Sequence, residues 1–385
     1  MAGDGDARPY RIDVAQATLD DLRTRLAHVR WPDEIMGADW DYGTNPGYLR
    51  ELVAYWHDRF DWRAQEAALN RFPHFRATVD GVGLHFVHAR GQSPQPLPLL
   101  LTHGWPDSFL RMVKLLPLLT DPAAHGGDPA DAFDVIVPSI PGFGFSDRPT
   151  VPGVGPARIA DLFAALVTDT LGYARFGAHG GDWGSTITEQ LARRHPEGLV
   201  GIHLTDIPFG HLFSTPAEEQ TDAERDYLQR GQRWQMAEGA YALIQRTKPQ
   251  TLGYGLTDSP VGLAAWLVEK FRAWSDCDGE VERRFTRDEL LTNITLYWVT
   301  NTINSANRLY HESQLTAGSG DRVDVPTGVA IFPKDIVPAP RAFGERFFDV
   351  RRWTELPRGG HFAALEEPEL LAGELRAFFR PRRAA

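Results

Sequence analysis

The sequence predicts an α/β fold: a mostly parallel central sheet flanked by helices, with a helical lid inserted late in the sheet and a helical segment before it. Three observations predict this. Short apolar runs alternate with helical runs between residues 97 and 204. The alternation then stops, and residues from about 207 to 322 are helix-rich, aromatic and polar. Strand character returns at Val329-Ala330-Ile331-Phe332.

The elements follow in order. Thr18 is placed as the cap of a first helix through Leu19, Leu22 and Leu26, with Asp20 and Asp21 in its first turn and Trp31-Pro32-Asp33 as its end. A second helix is predicted over Tyr48 to Phe60, with Leu49, Leu52, Val53, Trp56 and Phe60 on one face. Ala77-Thr78-Val79, Asp80-Gly81-Val82-Gly83 and Leu84-His85-Phe86-Val87 read as a hairpin with a glycine-containing turn. Strands are predicted at Leu97 to Thr102, Phe133 to Pro138, Arg175 to His179 and Leu199 to Leu204, with helices at Phe109 to Leu119 and Arg158 to Leu171. The expected organisation is residues 1–75 as an N-terminal helical segment, 76–206 as the first part of the α/β core, 207–322 as the lid, and 323–385 as the second part of the core.

Composition bounds the function. The 385 residues fit one large domain with additions, and 42% apolar and 11% aromatic residues supply a sizeable core. A formal charge of −11 argues against a nucleic-acid partner. The one basic run, Arg380, Arg382 and Arg383, reads as a solvated chain end. A single cysteine, Cys277, rules out an intramolecular disulfide and a Cys-rich zinc site. Its neighbours Asp276 and Asp278 disfavour a thiolate. The first ten residues are acidic and glycine-rich, without the apolar stretch of a signal peptide, and no run approaches 18 apolar residues. A cytoplasmic protein without a membrane anchor is expected.

Gly180-Gly181-Asp182-Trp183-Gly184-Ser185 follows a strand and opens a helix. This is the nucleophile elbow of the α/β-hydrolase fold, with Asp where esterases place Ser. An aspartate in a glycine-rich turn is also an ordinary helix cap. As a nucleophile it selects the chemistry. A carboxylate attacks saturated carbon and forms an ester, which water then cleaves. Esterase, lipase and peptidase action are disfavoured; epoxides and alkyl halides remain. His103-Gly104-Trp105-Pro106 follows an earlier strand, where this fold places one oxyanion donor. The donors would be the backbone amides of Trp105 and Trp183. His361, in Gly359-Gly360-His361-Phe362, is the candidate base, and the order nucleophile, acid, His is that of this fold. Asp335, after Ile331-Phe332-Pro333-Lys334, is the candidate acid, with Glu345, Asp349, Glu366 and Glu367 as alternatives. The 13 histidines show no metal-ligand spacing, so no cofactor and no metal are expected.

These motifs resemble those of the microsomal-type epoxide hydrolases, a family that includes the insect juvenile hormone epoxide hydrolases. The resemblance covers nearly the whole chain. It is carried by Trp31-Pro32-Asp33, His103-Gly104-Trp105-Pro106, Pro141-Gly142-Phe143-Gly144-Phe145-Ser146, the elbow, Asp258-Ser259-Pro260-Val261-Gly262-Leu263, and Gly359-Gly360-His361-Phe362-Ala363-Ala364. It implies that the N-terminal segment wraps around the lid. It also implies two lid tyrosines that grip the epoxide oxygen, for which Tyr241 and Tyr310 are similar in context. On residues alone, Tyr227, Tyr254 and Tyr297 are rivals. The expected partners are a small-molecule epoxide and water, with a homodimer left open. The aromatic lid residues Trp234, Trp266, Phe271, Trp274 and Trp298 suggest an apolar substrate, although such residues also pack cores. A haloalkane dehalogenase and a catalytically silent small-molecule-binding protein are the competing readings.

Overall fold

The apolar runs become the middle of a nine-stranded sheet in the computed structural model, which describes residues 6–213, 216–313 and 322–383. Residues 1–5 of the expected N-terminal segment, 214–215 and 314–321 of the expected lid, and 384–385 lie outside the described residues. The strands are β1 (Arg8–Pro9), β2 (His74–Val79), β3 (Val82–Ala89), β4 (Leu97–Thr102), β5 (Phe133–Pro138), β6 (Phe176–Gly180), β7 (Leu199–Leu204), β8 (Val323–Ile331) and β9 (Phe348–Glu355). Their order is β1-β2-β3-β5-β4-β6-β7-β8-β9. The pairs from β1 through β3 to β5 are antiparallel, and all later pairs are parallel. Helices cover both faces of the parallel part, so β5 is buried at every position and β4 at all but Pro98, with no alternation of inward and outward residues.

The helices preceding the parallel strands are α1 (Gln16–Ala27), α2 (Pro46–Asp58) and α3 (Trp62–Leu69). Three more lie among the strands: α4 (Leu115–Thr120), α5 (Pro156–Ala165) and α6 (Trp183–Arg194). Between β7 and β8 come α7 (Asp222–Glu238), α8 (Ala240–Thr247), α9 (Pro249–Asp258), α10 (Pro260–Trp274), α11 (Arg287–Thr300) and α12 (Ile303–Glu312). The chain ends with α13 (Arg341–Phe347), α14 (Ala363–Glu366) and α15 (Pro368–Phe379). No helix among the described residues is long and apolar enough to cross a membrane.

Several boundaries differ from the sequence expectation, each for a local reason. Thr18 does not cap the first helix. Ala15 occupies that position without a side-chain bond, and the Thr18 amide already donates to the Ala15 carbonyl. The helix stops at Ala27 rather than near Trp31, because the His28 ring turns back onto the Thr24 carbonyl. The second helix begins at Pro46. Asn45 accepts from the Tyr48 amide at 2.8 Å, and proline at the first position loses no helical bond. The expected Phe109–Leu119 helix splits into a 3₁₀ turn at Phe109–Met112 and α4, whose third residue is Pro117. Strand β9 was not foreseen.

The N-terminal helices lie on the inserted ones. Helices α1 and α2 pack on α10, and α2 and α3 on α11. Arg25 donates to Asp258, Thr44 to the Ala265 carbonyl at 2.7 Å, and the Tyr55 hydroxyl to Asp288 at 2.9 Å. Leu52 and Val53 of α2 carry the apolar part of this contact, both buried.

Candidate active site

Strand order reverses around β4, which has β5 on one side and β6 on the other. In open parallel sheets, ligands bind in the crevice outside the strands' carboxyl ends at such a point. The loops there carry Trp105 after β4, Asp182 after β6, Asp206 after β7, Asp335 after β8, and His361 beyond β9.

Asp182 sits at φ 59°, ψ −126°, a backbone conformation that few side-chain-bearing residues adopt. The flanking glycines explain how the turn closes. A Cβ at Gly180 would meet the Gly184 carbonyl oxygen at 2.1 Å, and one at Gly184 would meet that of Thr102 at 2.1 Å. The elbow therefore projects the Asp182 carboxylate at the N-terminus of α6, where unpaired amides favour negative charge. Asp182 makes no side-chain cap bond to that helix. One carboxylate oxygen accepts instead from the Trp105 amide at 2.7 Å. Trp183 opens α6, so its amide has no partner within the helix.

His361 faces the other carboxylate oxygen. Its Nε2 lies 3.5 Å from Asp182 Oδ2, and its Nδ1 lies 2.7 Å from Asp335 Oδ1. The preceding Gly360 lets this loop pass against the chain at residues 274–276: a Cβ there would stand 2.7 Å from the Trp274 carbonyl oxygen. The His361 amide donates to that carbonyl at 2.8 Å. Burial disfavours the imidazolium, but Asp335 and Asp182 outweigh it and raise the His361 pKa to about 10. The other candidate acids are engaged elsewhere. Glu345 pairs with Arg341, Asp349 with Arg351, and Glu367 with Arg284 and Arg358, while Glu366 accepts the amides of Gly360 and Phe362.

The inserted helices supply the aromatic wall. Tyr241 stacks on Trp105, with ring centres 5.1 Å apart. Tyr310 stands edge-on to Trp183 at 4.8 Å and to Trp105 at 5.7 Å. The two phenol rings are 5.9 Å apart. Burial raises both phenol pKa values, and the nearby Asp182 charge raises them further, so both hydroxyls stay protonated. The rival tyrosines are placed differently. Tyr254 is exposed, Tyr227 packs on Phe343, and Tyr297 donates to the Asp107 carbonyl at 2.7 Å. Trp234 and Trp274 join the wall through Tyr241. Trp266 is turned to Gln245, Trp298 lies under Arg25, and Phe271 stacks on Phe362. Cys277 is buried, with its thiol on the Arg272 carbonyl.

Residues 7–112 match the family model described as epoxide hydrolase N terminus, and residues 98–368 match that described as alpha/beta hydrolase fold. The chain is 47% identical to a Stigmatella aurantiaca protein provisionally named an epoxide hydrolase, over 98% of this chain and 85% of that protein. It is 38% identical to Epoxide hydrolase 1 of Sus scrofa, over 98% of this chain and 89% of the other. The chain belongs to the epoxide hydrolase family. The crystal structure of juvenile hormone epoxide hydrolase from Bombyx mori superposes with a TM-score of 0.85 at 30% identity, covering 99% of this chain and 95% of that one. The α/β-hydrolase fold of the epoxide hydrolase family thus holds from end to end.

Sequence reasoning missed three residues of this epoxide hydrolase site. Asp206 accepts the Asp182 amide at 2.9 Å and the Ser185 hydroxyl. Burial, and then the charge of Asp335, raise its pKa to about 7. The signal available was a carboxylate two residues past a strand end, on the same edge as Asp182. Asp107 and Arg111 form a buried ion pair at 2.6 Å. Their i, i+4 spacing inside an apolar stretch was the available signal.

Proposed function

We propose that this chain converts an apolar epoxide and water into a vicinal diol through a covalent ester on Asp182. One observation carries the reading: two buried phenols, 5.9 Å apart, lie near the Asp182 carboxylate, one oxygen of which is 3.5 Å from a His–Asp pair.

In the first step Asp182 attacks an epoxide carbon and the carbon–oxygen bond breaks. The electron pair passes to the ring oxygen, which the hydroxyls of Tyr241 and Tyr310 hold and protonate. In the second step His361 Nε2 takes a proton from water, and the hydroxide attacks the ester carbonyl carbon. The Trp105 and Trp183 amides stabilise the oxyanion, each such donor being worth about 3 kcal/mol. Collapse passes the proton left on the added oxygen to the departing alkoxide, which releases the diol and restores the carboxylate beside the imidazolium. Asp335 keeps the His361 ring in register throughout.

The charges time the two steps. Before attack, Asp182 and Asp335 hold His361 as an imidazolium, which is no base. Ester formation removes the Asp182 charge, so the His361 pKa falls and its proton becomes available. That proton balances the one the alkoxide gains. The base is thereby released by the step that needs it next.

A single turnover of a simple aryl epoxide in oxygen-18 water tests the ester. The first diol formed carries an unlabelled oxygen taken from Asp182; label in that first diol would mean direct attack by water and would end the proposal. The halide alternative has one feature in its favour, the buried Trp105 indole N–H without an acceptor. Halide release from alkyl halides without epoxide turnover would put it first.

A further inference from the structure

Asp107 and Arg111 are 1% and 2% exposed and lie at the base of the site rather than in its wall. Asp107 Oδ1 accepts the Gly104 amide at 2.9 Å, and this closes the turn that aims the Trp105 amide at Asp182. Asp107 Oδ2 accepts from Arg111 at 2.6 Å. The second Arg111 Nη donates to the His361 carbonyl, 250 residues away in sequence. The guanidinium also lies against Gly181, within 3.2 Å of where a Cβ would sit. One planar fork thus touches the oxyanion turn, the nucleophile elbow and the base loop.

Resting on the function proposed above, we propose that Arg111 is a positioning residue for this reaction: it ties the loop carrying the base to the turn carrying the oxyanion donor, and its charge faces the site's carboxylates. Only a fork can do the first. A lysine ammonium supplies the charge but not two directed, coplanar bonds. The charges around it are these. Asp107 and His103 face it from its own turn, with His103 Nδ1 3.7 Å from Asp107. His179 and Asp182 face it from β6 and the elbow, and Asp206, Asp335 and His361 from the later loops. Glu366 holds the amides on either side of His361 from α14.

Removing the cation makes it easier to keep His361 protonated, which moves the acid limb of ester hydrolysis to higher pH. Arg111→Gln keeps polar contacts without the charge, and Arg111→Lys keeps the charge without the fork. In Arg111→Gln we expect that acid limb to rise by about one pH unit. In Arg111→Lys the limb stays in place while kcat falls about 10- to 100-fold with KM little changed, as for a displaced catalytic group. A folded Arg111→Gln enzyme with the parent's pH profiles, or a lysine enzyme with the parent's kcat, overturns the proposal. Should neither variant fold, Asp107→Asn with Arg111→Gln removes both members of the ion pair together and keeps an acceptor for Gly104. The same fall in kcat at constant KM is then expected, and its absence overturns the proposal. Titration of the His361 ring by NMR in the Arg111→Gln variant reads the charge effect without turnover. The inference can therefore fail while the parent still hydrolyses epoxides, which separates its failure from that of the proposed function.

Discussion

His361 Nε2 lies 3.5 Å from Asp182 Oδ2. In the proposed cycle the carboxylate becomes a neutral ester, and the imidazole beside it responds. His361→Gln therefore keeps the first step and loses the second. Incubation with an epoxide is expected to leave the variant's Asp182 peptide heavier by the mass of the epoxide, with diol formation falling at least about 1,000-fold. A variant that neither forms diol nor gains mass would mean that His361 is needed for the first step as well. At this scale the sequence marked Asp182 and His361 as candidates, because each lies in a glycine-framed motif that follows a strand. It did not show Asp206 or Arg111. The signal each carried, a carboxylate just past a strand end and an i, i+4 charge pair in an apolar stretch, is common to many residues; what sets these two apart is what the fold places opposite them. Asp335 is an intermediate case. Its position after a strand marked it, but only the 2.7 Å approach to His361 separates it from Glu366 and Glu367.

The elbow is the element on which the site depends. Its glycines meet backbone atoms, which cannot rotate away as a side chain can. Gly184→Ala places a methyl group 2.1 Å from the Thr102 carbonyl oxygen, so β4 and α6 must separate. We expect a loss of about 3–5 kcal/mol, in the range reserved for strained backbone and core overpacking, with no active fraction recovered. Denaturant unfolding measures it, and a loss below about 1 kcal/mol would show that the turn has room. Elements were legible where packing is two-sided and apolar: β5 and β7 begin and end where the residues said. They were illegible where an edge is polar. In β9, Asp349, Arg351, Arg352 and Glu355 break the apolar run, and parallel pairing with β8 makes it a strand. Helix ends were misplaced where a side chain such as His28 closes the helix early.

For the whole molecule, buried ionisable groups set the pH range of stability. His361 has a folded pKa of about 10, above its ordinary value near 6.5, so its contribution is complete below pH 6.5 and lost as pH rises through 10. Asp206, raised to about 7, acts in the same direction at lower pH: its contribution is lost as pH rises from its ordinary 3.8 through 7. His88, half-buried, and His203, fully buried, are held in their neutral forms, with pKa values lowered to about 4 and about 3, so they withdraw stability as pH falls below 6.5. The melting temperature is expected to decline between pH 7 and 10, and His361→Gln to flatten that alkaline side while leaving the acid side alone. Calorimetry across pH 4 to 10 decides this, and an unchanged alkaline slope in the variant would place the titrating group elsewhere. The architecture was legible at this scale because strand, helix and insertion alternate in the sequence. The seating of α1, α2 and α3 on α10 and α11 was not legible from periodicity, which marks an apolar face but not its partner.

The two ends of the sheet have a consequence for crowded solutions. β1 is two residues long and includes Pro9, which has no N–H to offer a further strand. β9, at the opposite edge, carries Asp349, Arg351, Arg352 and Glu355 along its length. Unpaired strand edges are templates for fibrils and for strand exchange between copies, and short, proline-bearing or charged edges are the usual defence. Both margins of this sheet are blunted in that way, so the chain is guarded against polymerising strand to strand at high concentration.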